Sequence, residues 1–395
     1  MVTFTSADAA LKSLYLGVVS EQLNTGINPL LAKIEQTSAD VWGKEIIKLA
    51  PYGLNGGIGA GTEDGVLPAA AENNYVRFKL ELKNLFGTIE LSDKAVRASQ
   101  NSAGAFVNLL NSEMEGLLKA SKYNFGRMLY GDGTGTLAMV VEYEDNTDYN
   151  KIKLDGVKNV MEGMVIDCYD SDGDAVTGMT GTRITAVDRT NNIITVDAAT
   201  AAEVEEDGYI TIQGSKNLEL TGLGAIFSST ASTLYGLTRA TYPWLEPYSK
   251  TSTGAISITK IQQAIDYVDE VHDSKVDFIV CASDVKRMYL EYCALNRTNV
   301  DYMNLDNGYK ALSYNGIPLV SDRFVNNGTM YMLNSKDFKL HQLCDWRWLE
   351  GEDGRILKQK AGRPTYSATL VKYADLLCDK PCGQIMLAGV TAAAE

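Results

Sequence analysis

A change of hydrophobic period near Ala103 constrains this chain more than any other feature. From Tyr75 to Leu82 the residues Val76, Phe78, Leu80 and Leu82 are apolar, while Tyr75, Arg77, Lys79 and Glu81 are polar or amphipathic. That period of two predicts a half-buried strand. It continues through Ile89 and Leu91, and Ser92-Asp93 then offers a cap for a short helical turn. Beyond Ala103, Phe106, Leu110, Met114, Leu117, Leu118, Phe125, Met128 and Leu129 recur mostly three or four apart, the stripe of one helix face. Helical from Ala103 to Tyr130, the segment would be roughly 42 Å long at 1.5 Å per residue. Gly131-Asp132-Gly133-Thr134-Gly135 stops it. Gly116 and Gly126 lie inside the pattern, each costing about 1 kcal/mol against Ala. They mark a bend or the close approach of another backbone. Nothing in the strand and helix has a catalytic pattern.

Ahead of this unit, Leu11, Leu14, Tyr15, Val18, Val19 and Leu23 place an amphipathic helix within Ala7 to Leu23, ending at Asn24-Thr25-Gly26. Asn28-Pro29 starts a second, with Pro at its first position. Tyr52 to Asn74 holds six glycines, three acidic residues and no Lys or Arg. Such a segment gains little from burial and loses much entropy on ordering. Flanked by Ile46-Ile47 and the Tyr75 strand, it is expected to be the tip of a long hairpin, a reaching arm.

After the helix, short alternations at Met164–Ile166, Ile184–Val187, Ile193–Val196 and Tyr209–Ile212 alternate with turn clusters, the pattern of a small β-barrel or sandwich. The net charge of −14 is concentrated there: 17 acidic and 6 basic residues lie between Leu137 and Gly222, leaving the rest near neutral. That balance argues against nucleic-acid binding through phosphate neutralisation. A mixed pattern resumes at Ala255. Ile261, Ile265, Val268 and Val271 mark a helix face, and Asp277 to Ala282 a buried strand. Ser283 is expected to cap a helix through Tyr292, and Asn315-Gly316 marks a hairpin turn. Met330–Leu333, Phe338–Leu343, Tyr366–Leu377 and Gln384–Leu387 are expected strands. The six scattered cysteines predict no disulfide framework and a reducing compartment. No signal peptide or membrane-length apolar run is present in the sequence.

Catalytic and ligand motifs fail on spacing or context. Gly57-Ile58-Gly59-Ala60-Gly61 has Thr62 where a dinucleotide loop needs glycine, with no helix pattern after it. Gly131 to Gly135 follows a helix rather than a strand. Asp170, Asp172 and Asp174 resemble the start of a calcium loop, but glycine falls fourth instead of sixth and Gly181 takes the place of the bidentate Glu. An acidic turn is the better account, with a weak ion site as the alternative. His341, Cys344, Cys378 and Cys382 could supply zinc ligands, yet Cys344 and Cys378 sit in apolar strand patterns. Tyr242, Pro243, Trp244 and Pro247 form an aromatic cluster, read as a hydrophobic plug in preference to a carbohydrate or peptide site. No enzyme activity, cofactor or metal is expected.

The order of parts, with Phe86-Gly87-Thr88-Ile89-Glu90-Leu91-Ser92, Arg127-Met128-Leu129-Tyr130-Gly131-Asp132-Gly133, Leu234-Tyr235-Gly236-Leu237-Thr238-Arg239 and Tyr314 to Asp322, resembles a tailed-phage major capsid protein of the Hong Kong 97 type. The resemblance implies an α+β fold with an inserted small all-β domain. Its parts would be an N-terminal arm (1–51), an extended hairpin loop (52–91), a spine helix and peripheral domain (92–136) and the acidic barrel-like insert (137–222). A return to the peripheral domain (223–255), an axial domain (256–365) and C-terminal strands of the peripheral domain (366–395) would follow.

It further implies a shell of pentamers and hexamers around double-stranded DNA held without sequence-specific contacts, a virion component assembled in the bacterial cytoplasm with no membrane. Inter-subunit contacts would fall at Leu14 and Tyr15 on the arm, Asn55, Thr62, Glu63 and Asp64 on the loop, and Arg77 and Lys79 on its stem. A portal protein would be a partner, and a decoration protein could bind the insert, which should face outward. Two departures matter. The arm begins within a few residues of Met1, so scaffolding would be a separate protein or absent. Tyr52 to Asn74 contains no lysine, so no isopeptide cross-link is expected from the loop. The alternative on the same fold is an encapsulin-like nanocompartment shell; an enzyme or sugar-binding module using Trp244 is a third reading.

Overall fold

The computed structural model describes residues 28–392 apart from 40, 42–44, 95–102, 142–149, 199–203, 297–300, 305–309, 352–353 and 355. The helix expected at Ala7 to Leu23 and most of the turn after Ser92 lie outside the described residues. The long helix, Ala103–Met128, lies on the strand Lys83–Ser92 and buries Met114, Leu118, Phe125 and Met128. Gly87 permits the approach: a Cβ there would come within 2.8 Å of Leu117. The helix stops at Met128, two residues before the expected end. Tyr130 N–H donates to the Arg127 carbonyl and Gly131 N–H to that of Met128, a tightened last turn.

Lys83–Ser92 pairs along its length with Thr365–Cys378, which pairs on its other side with Phe338–Trp348. Glu35–Thr37 adds in parallel at the far edge of that strand. The short helix Pro29–Lys33 precedes it, with the Asn28 carboxamide accepting from Leu30 and Leu31 N–H, as the Asn-Pro pair predicts. Asn28 in turn reaches the Gly126 carbonyl of the long helix. Gly126 answers one of the two glycine questions. The neighbour is a side chain, not a backbone: a Cβ would come within 2.6 Å of the Phe324 ring. Nothing approaches Gly116.

A seven-stranded sheet has the order Tyr248–Lys250, Ile385–Leu387, Met330–Leu333, Phe278–Cys281, Ile317–Ser321, Lys310–Tyr314, Asp301–Asn304. Phe278–Cys281 is buried along its whole length. The helix Ile258–His272 buries Ile261, Ala264 and Val268, whereas Val271 is exposed, off the expected face. Ser283 is the first residue of the helix Ser283–Leu295; Ala282 holds the cap position and supplies no side-chain bond. Asn315 and Gly316 turn left-handed, with φ of 48° and 80°, between paired strands. The expected boundaries cut across these sheets. Phe338–Trp348, grouped with residues 256–365, pairs with Thr365–Cys378, and Ile385–Leu387, grouped with the C-terminal strands, joins the seven-stranded sheet.

Six short strands form a third sheet: Thr136–Met139, Tyr209–Ile212, Val165–Tyr169, Thr182–Asp188, Ile193–Val196 and Lys151–Lys153. A bridge from Val140 to Leu154 joins its first and last members, so the row closes on itself. Ile152, Ile166, Ile184, Ile194 and Ile210 fill the inside, a cluster separate from the main core. Alternation of apolar and polar residues puts those isoleucines on one face, and closure removes the edge strands. The chain leaves and returns through one neck. Asn217 N–H donates to the Thr134 carbonyl at 2.8 Å and Leu223 N–H to that of Leu129 at 2.9 Å. A Cβ on Gly222 would collide with the carbonyl oxygens of Met128, Leu129 and Gly131. Buried in this neck, Arg127 pairs with Glu219.

Candidate functional site: an outward-facing hairpin

Ile46–Tyr52 and Asn74–Leu80 pair antiparallel from Ile46↔Leu80 to Tyr52↔Asn74, forming the stem of the expected hairpin. Alternation splits its two faces. Ile46, Ala50, Val76, Phe78 and Leu80 are buried against the body. Two of the cross-strand pairs facing the other way are Ile47↔Lys79 and Leu49↔Arg77. Ile47 is 55%, Leu49 60% and Tyr75 58% exposed.

The inner face is held by aromatic and ionic contacts. Tyr52 stacks on Trp244 at 5.4 Å with a 10° interplanar angle, and Phe78 packs on Tyr235 at 5.6 Å and Trp244 at 6.2 Å. Tyr235 has φ of 50°, unusual for a bulky residue, and its carbonyl accepts the Lys79 N–H at 2.9 Å. Its buried hydroxyl donates to the Leu376 carbonyl and accepts the Cys378 N–H. Burial pushes that phenol well above its usual range, so it stays protonated and available as a donor. Lys48 pairs with Asp379 at 2.5 Å. The base of the hairpin is clamped.

Beyond Tyr52 the tip leaves the body. Leu54, Ile58, Val66 and Leu67 are exposed, each by more than three quarters. Its turns are small and local: Gly65 N–H donates to the Thr62 carbonyl, Gly57 N–H to the Asn55 side chain, and the Asn55 amide to Asn73. An apolar surface of this kind on a clamped hairpin offers binding area without a cavity.

Of the expected contact residues, Asn55, Thr62, Glu63 and Asp64 are exposed on the tip, and Arg77 and Lys79 on the outward stem. The structure joins these six on one element. Leu14 and Tyr15 lie outside the described residues. The apolar members Ile47, Leu49, Leu54, Ile58, Val66 and Leu67 were absent from that expectation. For Ile47 a signal was available in the adjacent Ile46-Ile47, which a two-residue period cannot bury together.

The other motifs resolve differently. Asp170 accepts the Asp174 N–H in a tight turn, while Lys216 donates to the Gly173 carbonyl and lies 4.2 Å from the Tyr169 ring centre. A cation thus occupies the neighbourhood of the three aspartates. All six cysteines are free, and burial pushes the Cys168 and Cys281 thiols up to about 12. Among the described residues no group of three or more His, Cys, Asp or Glu could hold a metal ion. Gly57 to Gly61 lies in the tip, half-buried at Gly57 and exposed from Ile58 onward, and Gly133 and Gly135 are turn residues of the neck. Trp244 packs on Tyr52 and Phe78 of the hairpin stem, a contact that the plug reading did not specify. Among the described residues no helix is long and apolar enough to cross a membrane.

No family model and no curated protein matches the sequence. Solved structures do. The cyanophage A-1(L) capsid asymmetric unit contains a chain similar over 92% of this one and 93% of its own, with a TM-score of 0.56 and 12% identity. The chain has the Hong Kong 97 fold. A chain of the capsid of the myovirus phage XM1 is similar at TM-score 0.48 and 9% identity, over 92% of each chain. The SrpI encapsulin from Synechococcus elongatus follows at TM-score 0.45 and 11% identity, over 96% of this chain and 98% of that one. The hairpin packs on the body with one face and leaves large apolar side chains of its other face and of its tip exposed.

Proposed function

We propose that this chain is the major shell subunit of a tailed phage, a non-catalytic protein that assembles with its own copies into pentamers and hexamers enclosing double-stranded DNA. The observation that carries the reading is a clamped hairpin whose outward face and tip expose seven large apolar residues, on a chain with the Hong Kong 97 fold. A monomer gains nothing from that surface; covering it with a second copy removes apolar area from water. In this reading residues 52–91 form the extended loop, Ala103–Met128 the spine helix, residues 256–365 most of the axial domain, and 137–222 an outward-facing acidic insert. Many individually weak contacts sum to a stable shell through valence. Portal protein, a separate scaffolding protein and an exterior decoration protein are the partners that go with it, in a virion built in the host cytoplasm.

Electron microscopy of the purified protein, alone and co-expressed with its scaffold, tests this. Hollow particles of uniform size are expected, and particles from infected cells should protect DNA from nuclease. Deleting Gly53 to Gly65 should leave a folded subunit that does not assemble. Only monomers from the intact chain under every condition, or normal shells from the deletion, would overturn the reading.

A further inference from the structure

The charges of the hairpin are segregated by position. Between Tyr52 and Asn74 the tip carries Glu63, Asp64 and Glu72 with no basic residue. The stem strands carry no acidic residue; of their basic residues, Lys48 is turned inward to Asp379, while Arg77 and Lys79 are exposed on the outer face. Among the described residues none of these five exposed charges forms an ion pair. Apolar residues accompany both poles: Leu54, Ile58, Val66 and Leu67 at the tip, and Ile47, Leu49 and Tyr75 on the stem. The stem is about 23 Å long at roughly 3.3 Å per residue, with Arg77 at its middle and Lys79 nearer the body, so these two exposed basic residues are set apart along the hairpin from Glu63 and Asp64 of the tip.

From this we infer that the occupant of the outward stem face is the hairpin tip of a second copy, with Glu63 and Asp64 set against Arg77 and Lys79. The inference rests on the shell reading and names the contact within it. Like poles repel, so two hairpins cannot pair tip to tip or stem to stem without cost. Tip on stem satisfies both charge and apolar area. Such a contact is head-to-tail: each copy gives a tip to one neighbour and receives one from the other, so the surface uses two different patches. Heterologous contacts of this type close into rings when the rotation allows. The apolar tip residues would lie over Ile47, Leu49 and Tyr75, with the charges setting direction and register.

Charge exchange tests it on the full chain. R77E/K79E and E63K/D64K should each lower particle yield by roughly tenfold or more, since the lost contact repeats at every subunit. The combined four-residue variant should recover most of it. Melting temperatures should stay near that of the unaltered protein, because all four side chains are exposed. A reversal that assembles normally, or a combined variant no better than its parents, would overturn the contact. A second arm is independent of yield. Oxidised D64C/K79C should give a ladder of covalent oligomers on a non-reducing gel, with neither single variant extending beyond dimers. An internally bridged monomer, or no ladder from assembled particles, counts against it. Failure of the unaltered protein to assemble overturns the shell reading instead.

Discussion

Asp375 sits at the point where the chain, returning through the neck, meets the strand Thr365–Cys378. Its carboxylate accepts from Thr221 N–H at 2.7 Å, the Thr221 hydroxyl at 3.0 Å and its neighbour's Leu376 N–H at 2.9 Å. These bonds favour the charged form, yet complete burial outweighs them and lifts the group from 3.8 to about 6. The folded state therefore holds this proton more tightly than the unfolded chain does. The contribution to stability is full below about pH 4 and is lost as pH rises through 6, a change of about 3 kcal/mol from this group. Asp375→Asn removes it while keeping an acceptor for both N–H groups, since the Thr221 hydroxyl can turn to accept from the amide. Urea unfolding of the two proteins at pH 4, 5, 6 and 7 should show the variant gaining relative stability as pH rises. A constant difference would place the ionisation elsewhere.

At the scale of elements, the two glycines of Ala103–Met128 carry opposite consequences. An Ala at exposed Gly116 meets nothing, so Gly116→Ala should stabilise by about 0.5–1 kcal/mol through backbone entropy. Gly126→Ala drives a methyl into the Phe324 ring, and overpacking of this kind costs about 1–3 kcal/mol, more than the propensity gain. Thermal melts should move in opposite directions, and two upward shifts would mean that Phe324 gives way. The helix itself was legible because 26 residues sustain one period, and the stem because its strands alternate strictly. What escaped were elements too short to show a period, such as Lys151–Lys153, and side chains whose fate depends on distant partners. Val271 continues a helical spacing but is left exposed. The same limit governed the hairpin: polar candidates were visible from the sequence, whereas the exposure of Leu54 and Val66 could be recognised only once the structure left them bare.

For the molecule as a whole, the six-stranded barrel and the main body have separate hydrophobic clusters, and are joined at the neck and at Lys158, which donates to the Val325 carbonyl and to Asn327 while its own carbonyl accepts from the Tyr123 hydroxyl. Thr134 and Asn217 are hydrogen-bonded across that neck, and a Cβ on Gly135 would lie 2.7 Å from the Ser215 carbonyl oxygen. The two ends of the barrel segment therefore already meet, which is the geometry that tolerates removal of what lies between. The body's half of the neck, Arg127 with Glu219 and Gly222 against the helix end, lies outside the segment 136–215. Joining Gly135 to Lys216 through a two-glycine linker should leave the long helix and the seven-stranded sheet intact, seen as a cooperative melt with retained helical circular dichroism. The excised segment carries 16 acidic and 5 basic residues, most of the negative charge of the chain. If it covers the outside of the shell, particles lacking it should assemble, migrate more slowly toward the anode in a native gel and aggregate sooner as salt screens what charge remains. Excised chains that fold but fail to assemble would instead give the barrel a role in the contacts between subunits, and unchanged mobility would turn it away from the exterior.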